Sequence, residues 1–181
     1  MSHGWMQRAL RYGWVLGLVA VLAHLGWELA HGGVRSHHLL AQPELPSFSN
    51  AWGLLTLPVL GWLASWVVTR RAAGVPGAAG LAVFEFLGAL LVGLALSSSF
   101  ALGFDTATSV IFFAALAAGL VVRSYRAECV FGFVLGMLVV FGGVLPVLIA
   151  TVAAALSALA HFVLWPACAW VWRTLRGGPA R

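Results

Sequence analysis

The chain has no lysine, and charge of either sign is scarce. Ten arginines face five acids, and only 8% of the 181 residues are charged. Soluble domains carry about 25% charged residues. A water-soluble fold of this length cannot cover itself with so few, which excludes a globular enzyme or binding domain in water. The net charge of +5 does not mark a nucleic-acid partner, because the arginines stand at the ends of apolar runs rather than in one patch. Cysteine is nearly absent as well. Cys129 and Cys168 lack the paired spacing of a metal or redox motif. Both read as buried, small apolar residues toward the cytoplasmic side, where thiols stay reduced. No small-x-small cleavage site precedes Glu28, so the apolar N-terminal run reads as a retained helix rather than a cleaved signal.

What is present is hydrophobicity: 62% of residues are hydrophobic, with a mean hydropathy of +0.99. The apolar residues form blocks of roughly 20, long enough to cross ~30 Å of hydrocarbon. We read an all-α integral membrane protein, a single transmembrane helical bundle over residues 1–181. Six spans fit, about Gly13–His31, Ala51–Thr69, Ala78–Leu102, Thr106–Val122, Cys129–Phe141 and Pro146–Trp172. Residues 32–50 form an outer-face loop, in which Pro43 and Pro46 forbid a long helix. Ser49 or Asn50 caps the second span and Asp105 the fourth, and Pro58 predicts a kink. Residues 173–181 form a basic cytoplasmic tail suited to anionic lipid.

The arginines orient the spans. With six crossings and a cytoplasmic N-terminus, Arg8, Arg11, Arg70, Arg71, Arg123, Arg126, Arg173, Arg176 and Arg181 all fall inside, and only Arg35 falls outside. Both termini are then cytoplasmic. The exclusive use of arginine, with much Ala, Gly and Leu, suggests a GC-rich bacterial genome and hence a bacterial inner membrane. Gly132-x-x-x-Gly136 in span five and Ala150, Ala154 and Ala158 in span six predict a tight small-residue hairpin. No internal repeat is evident.

Ionisable groups inside a span cost about 2.5–3.5 kcal/mol each on insertion scales, so each is a candidate for function. At ~1.5 Å per residue, His24 and His161 both fall near the midplane, about 16 and 18 Å above the inner ends of their spans. On the same count Glu85 lies about 10 Å up, Glu28 about 22 Å, His31 about 27 Å, and Asp105 at the outer edge. His24, Glu28 and His31 share one helical stripe, which should face the bundle or water rather than lipid. His37 and His38 read as interfacial residues. Glu128 reads as an acid favoured by a helix N-terminus, and Ser97 to Ser99 as hydroxyls bonding back to their own helix.

Three functions fit this ladder. The first is movement of a proton, cation or small solute along a path of His24, Glu28, His31, Glu85, Asp105 and His161, since acid/His chains serve as relays in pumps and transporters. The second is a non-catalytic accessory or assembly subunit whose polar stripe docks a larger membrane complex. The third is a metal or b-haem redox protein. For a metal, His24, Glu28 and His31 offer two imidazoles and a carboxylate; for haem b, His24 and His161 offer an axial pair. Neither His-Glu-x-x-His nor Gly-x-Ser-x-Gly occurs, so the sequence leans away from an enzyme. The expected partners are the lipid bilayer and, because six short helices leave little room for a central path, a second copy of the chain or a larger membrane complex, with no nucleic acid.

Overall fold

A backbone inside hydrocarbon must satisfy its own hydrogen bonds, and a helix does so within one segment. The computed structural model describes the backbone of residues 3–38 and 47–176, and side chains of residues 12–36 and 48–176. The prolines of the expected loop, Pro43 and Pro46, and the end of the basic tail, including Arg181, lie outside the described residues. The described residues are helical apart from one short ribbon and the connecting turns. Helix α1 spans His3–Ala30, α2 Gly53–Gly74, α3 Ala78–Ala101, α4 Asp105–Val121, α5 Ala127–Phe141, α6 Leu145–Leu159 and α7 Trp165–Leu175. A π-helical turn, Ala160–Leu164, joins α6 to α7 without a break. The ribbon pairs β1, Ser36–His38, antiparallel to β2, Ser47–Ser49. A 3-10 turn, Asn50–Trp52, leads from β2 into α2 and is capped by Ser49 Oγ, which accepts from the Ala51 N–H.

Among the described residues four stretches are long and apolar enough to cross a membrane: Tyr12–Ala30, Asn50–Gly74, Ala78–Ala101 and Leu145–Leu175. These are the helices of a membrane protein. Helices α4 and α5 are apolar but shorter. Large apolar side chains such as Phe84, Leu91 and Phe113 point outward from the bundle, as suits hydrocarbon rather than water. Pro58 lies inside α2, which runs through it unbroken.

Two glycine-mediated pairs organise the bundle. Helix α1 runs antiparallel to α2, with Gly13 on Gly61 and Gly17 on Leu57; a Cβ on Gly17 would stand 2.7 Å from the Leu57 carbonyl carbon. Helix α5 runs parallel to α3, with Gly132 over Phe86 and Leu90, and Gly136 over Leu90, Gly93 and Leu94. A Cβ on Gly136 would lie 2.7 Å from the Leu94 nitrogen. The Gly132/Gly136 face therefore meets α3, not α6 as a five–six hairpin predicts. The reason is physical: α3 presents its own glycine, Gly93, so two backbones can close on each other, whereas Ala153 and Ala154 of α6 border a cavity. Between the pairs, Val21, Leu25, Leu57, Val134, Leu138 and Ala150 form the core.

Candidate functional site

Helix α1 ends at Gly32 and Gly33, both with positive φ, and the N–H groups of His31 and Gly33 cap the Glu28 carbonyl. This sharp end returns the chain over its own last turn, and the ribbon carries it down to Asn50. There Asn50 turns inward, and it and Glu28 are each 2% exposed. Asn50 Nδ2 donates to Glu28 Oε1 at 2.6 Å and stands 3.5 Å from His24 Nε2. His24 Nε2 is 3.4 Å from the same Glu28 oxygen, and the Arg35 N–H donates to Glu28 Oε2 at 3.3 Å. Across the bundle, Gly142 closes the floor of the site. Its φ is +70°, and a Cβ there would collide with the Asn50 amide. A residue with a side chain is excluded on both counts.

At the opposite end of the bundle four charged side chains meet. Arg126, just before α5, donates to Glu85 Oε1 of α3. Arg71 of α2 donates to Glu128 Oε1 of α5 and stands 3.7 Å from Glu85 Oε2. Two guanidiniums and two carboxylates thus balance. The hydrogen bond to Glu85 outweighs burial and pushes Arg126 above its ordinary range, so it stays cationic. Three atoms of this cluster, Arg71 Nε, Glu85 Oε2 and Glu128 Oε2, are buried without a hydrogen-bond partner among the described residues.

His161 belongs to neither cluster. The last carbonyls of α4 would be orphaned by the turn that follows, and α6, the π turn and the start of α7 supply their partners. Ser157 Oγ donates to Gly119 O at 2.7 Å, and Trp165 Nε1 to Leu120 O at 2.7 Å. His161 Nε2 lies 3.2 Å from Val121 O, and its Nδ1 lies 2.8 Å from Ser157 O. On an ideal α-helix, residues i and i+8 diverge by about 80° at 3.6 residues per turn. The wider π turn brings positions 157, 161 and 165 back to one face.

The structure brings His24 and Glu28 together but separates them from the rest of the expected path. Glu85 sits in the charge cluster, about 20 Å away along α5 at ~1.5 Å per residue. Buried Phe131, Val134, Met137 and Leu138 fill the interval. His31 is exposed, stacked on Trp27 at 4.5 Å, with Nδ1 2.8 Å from Trp27 O. Asp105 is exposed in the first turn of α4, where Phe104 holds the cap position. His161 lies at the level of the arginine cluster, not at the depth of His24. The count from the inner end of span six puts it near the midplane, but the last helix runs on through α7, none of whose residues is buried. His24 and His161 therefore do not face each other as axial ligands. Among the described residues no three His, Cys, Asp or Glu side chains gather as a metal site. Cys129 is buried as expected, whereas Cys168 is exposed on α7. Ser97 and Ser99 do bond back, to Leu94 O and Leu96 O, and Ser97 also reaches Gly136 O across the α3–α5 contact.

Four residues of these clusters were not candidates from sequence: Asn50, Arg71, Arg126 and Glu128. Asn50 reads equally well as a helix cap, and the arginines as topology signals. The available signal was the pairing of Glu85 and Glu128 with arginines at matching ends of neighbouring spans. No protein-family model, curated protein or solved structure matches this chain.

Proposed function

We propose that the chain crosses a bacterial inner membrane six times, with both termini cytoplasmic, and that it moves a proton, cation or small solute by alternating access. Successive helices reverse direction from α1 to α6. Helix α5 runs parallel to α3 along its length, which supports α4 and α5 as a further return and crossing between the long stretches. In this reading His24, Glu28 and Asn50 form the outward loading site beneath the ribbon. Arg71, Glu85, Arg126 and Glu128 form the inward gate, a neutral set that can part and re-form. The observation that carries the reading is Glu28, a carboxyl group 2% exposed that shares one oxygen with His24 and Asn50. An ionisable group buried within a membrane span is costly and marks ion or substrate pathways.

The test is flux into liposomes. Purified protein reconstituted with a trapped pH dye, and separately with a potassium-sensitive dye, should collapse an imposed gradient faster than empty vesicles. Glu28→Gln should abolish that flux, and Arg71→Ala should make it leaky. A Glu28→Gln variant as fast as wild type would overturn the reading, and wild-type vesicles no faster than empty ones for either ion would remove its proton and potassium branches. The α7 extension, with Trp170 and Trp172 exposed, favours a second reading as an accessory subunit. That role requires one membrane partner to co-purify in stoichiometric amount and to be lost when α7 is removed.

A further inference from the structure

Glu85 and Glu128 reach the arginine cluster from different helices, α3 and α5. One guanidinium holds one oxygen of each: Arg126 donates to Glu85 Oε1, and Arg71 to Glu128 Oε1. The second oxygen of each, Oε2, is buried and meets no donor among the described residues. The two carboxyl groups lie within hydrogen-bonding reach of each other, and Glu128 is 4% exposed. We propose that Glu85 and Glu128 share one bound proton, held between their Oε2 atoms, which makes the arginine cluster a proton-binding site. The bound proton stands apart from the permeation reading; only its effect on the gate rests on that reading.

A carboxylate oxygen only accepts hydrogen bonds. Two of them meeting in a buried place repel, and neither has anything to accept. Buried polar atoms left in that state are rare in native structures. Arg71 does not close the gap. Its Nη2 stands 3.7 Å from Glu85 Oε2, beyond hydrogen-bond distance, and its Nε has no acceptor of its own among the described residues. The acids are also held in place, since Arg126 and Arg71 grip their Oε1 atoms. One proton answers both open oxygens. It bonds covalently to one Oε2 and is donated to the other, a charge-assisted bond roughly twice as strong as a neutral one. Carboxyl groups at contact cannot both ionise freely, and a shared proton is their usual resolution. The other charged or titratable groups around the pair are Arg71 from α2, Tyr125 and Arg126 from the turn before α5, and Cys129 from α5.

The four side chains balance when both acids are ionised, and the proton adds one positive charge. Its departure to the inner water restores the balance but leaves two carboxylates in contact. The cluster then loosens. On the gate reading, the inward gate therefore opens as the proton is delivered.

The test is infrared spectroscopy of full-length protein in lipid vesicles at about pH 7, where exposed glutamates are ionised. A protonated carboxyl group shows a carbonyl stretch above the carboxylate and amide bands, and deuterium oxide shifts it. Wild type should show this band and lose it as pH is raised. Glu85→Gln and Glu128→Gln should each remove it, because the glutamine amide donates where the proton stood and leaves the remaining acid ionised. Glu28→Gln should leave it in place. Stability gives a second readout. The unfolded chain releases the proton at about 4.3, so its stabilising effect is complete below that pH. Above it the folding constant should fall by about tenfold per pH unit until the folded pair releases its proton too, and both glutamine variants should flatten that fall. A wild-type spectrum without the band, the outcome if Arg71 turns to fill the open oxygens, would overturn the proposal with no variant needed. So would a band that either glutamine substitution leaves unchanged, or one that Glu28→Gln removes. None of these results depends on whether flux is seen.

Discussion

The hydrogen bond between Asn50 and Glu28 supports both the fold of the loop end and the proposed loading site, and it can be measured. Its length is 2.6 Å, and both residues are 2% exposed. Water is therefore a poor substitute partner for either. Polar pairs within transmembrane bundles average about 0.6 kcal/mol and reach about 1.7. Bonds to charged acceptors in soluble proteins reach about 1.5–3 kcal/mol. Full enclosure places this pair near the top of the membrane range, so a coupling of about 1.5 kcal/mol is expected. Asn50→Ala removes the donor, leaves Glu28 to His24 and the Arg35 N–H, and should cost about 2–3 kcal/mol, because a buried acceptor loses a partner. Glu28→Ala should cost a similar amount, and the double variant clearly less than the sum. Asn50→Asp, which turns a second carboxyl group toward Glu28, should be worse than Asn50→Ala. The assay is reversible unfolding in mixed micelles by sodium dodecyl sulfate, followed by tryptophan fluorescence. A coupling below about 0.3 kcal/mol, the ordinary error of additivity, would show that the two side chains do not share the bond and would remove the loading site with it.

Other predictions follow from the contacts. Gly136→Leu should cost more than about 3 kcal/mol in the same unfolding assay, the top of the usual overpacking range, because it pushes against the α3 backbone rather than a flexible side chain; a cost under about 1 kcal/mol would contradict the close α3–α5 contact. Gly142→Ala should destabilise the protein by about 1–3 kcal/mol through its left-handed backbone alone, with a further loss from displacing Asn50, and a neutral result would refute the floor assigned to it. His161→Ala and Trp165→Phe should each speed backbone amide exchange in the last turn of α4, leaving α1 and α2 unchanged. Exchanging charges in the double variant Glu85→Arg with Arg126→Glu should restore folded yield lost in either single variant; failure of the rescue would show that their pairing is incidental.

Helices were more legible in the sequence than their contacts. Uninterrupted apolar blocks fix where helices form because hydrocarbon offers the backbone no other partner. Glycine and arginine then mark their ends, as at Gly32–Gly33 and Arg70–Arg71. Which helices touch depends on a different property, the depth of the groove each backbone offers. Gly132-x-x-x-Gly136 announced a close contact but not its partner. The partner was set by Gly93, a lone glycine without a motif, and Gly61 plays the same part for Gly13. A single small residue becomes informative only when the facing helix is known.

The polar residues show the same limit in another form. Depth alone grouped His24 with His161 and left out Asn50, because sequence distance along a span gives height and nothing about azimuth. Height itself failed where the last helix outran the bundle. The residues that do meet share a different logic: each buried acid sits where a donor arrives from another helix or loop. Glu28 receives Asn50 and the Arg35 N–H, Glu85 receives Arg126, and Glu128 receives Arg71. An arginine at a span end thus serves two ends at once, since the charge that favours one side of a membrane is also the donor that lets a carboxyl group enter it. On this view Arg35, the lone arginine of the ribbon end, stands apart. It contributes to Glu28 through its backbone N–H, while its guanidinium lies 5.9 Å from the Trp27 ring centroid. Arg35→Gln should therefore leave the Glu28–Asn50 coupling at its wild-type value in the cycle described above. Arg35→Pro, which removes the N–H and nothing of the charge pattern beyond that of Arg35→Gln, should lower the stability contributed by Glu28. Equal effects of the two substitutions would mean that the guanidinium, not the backbone, holds the site.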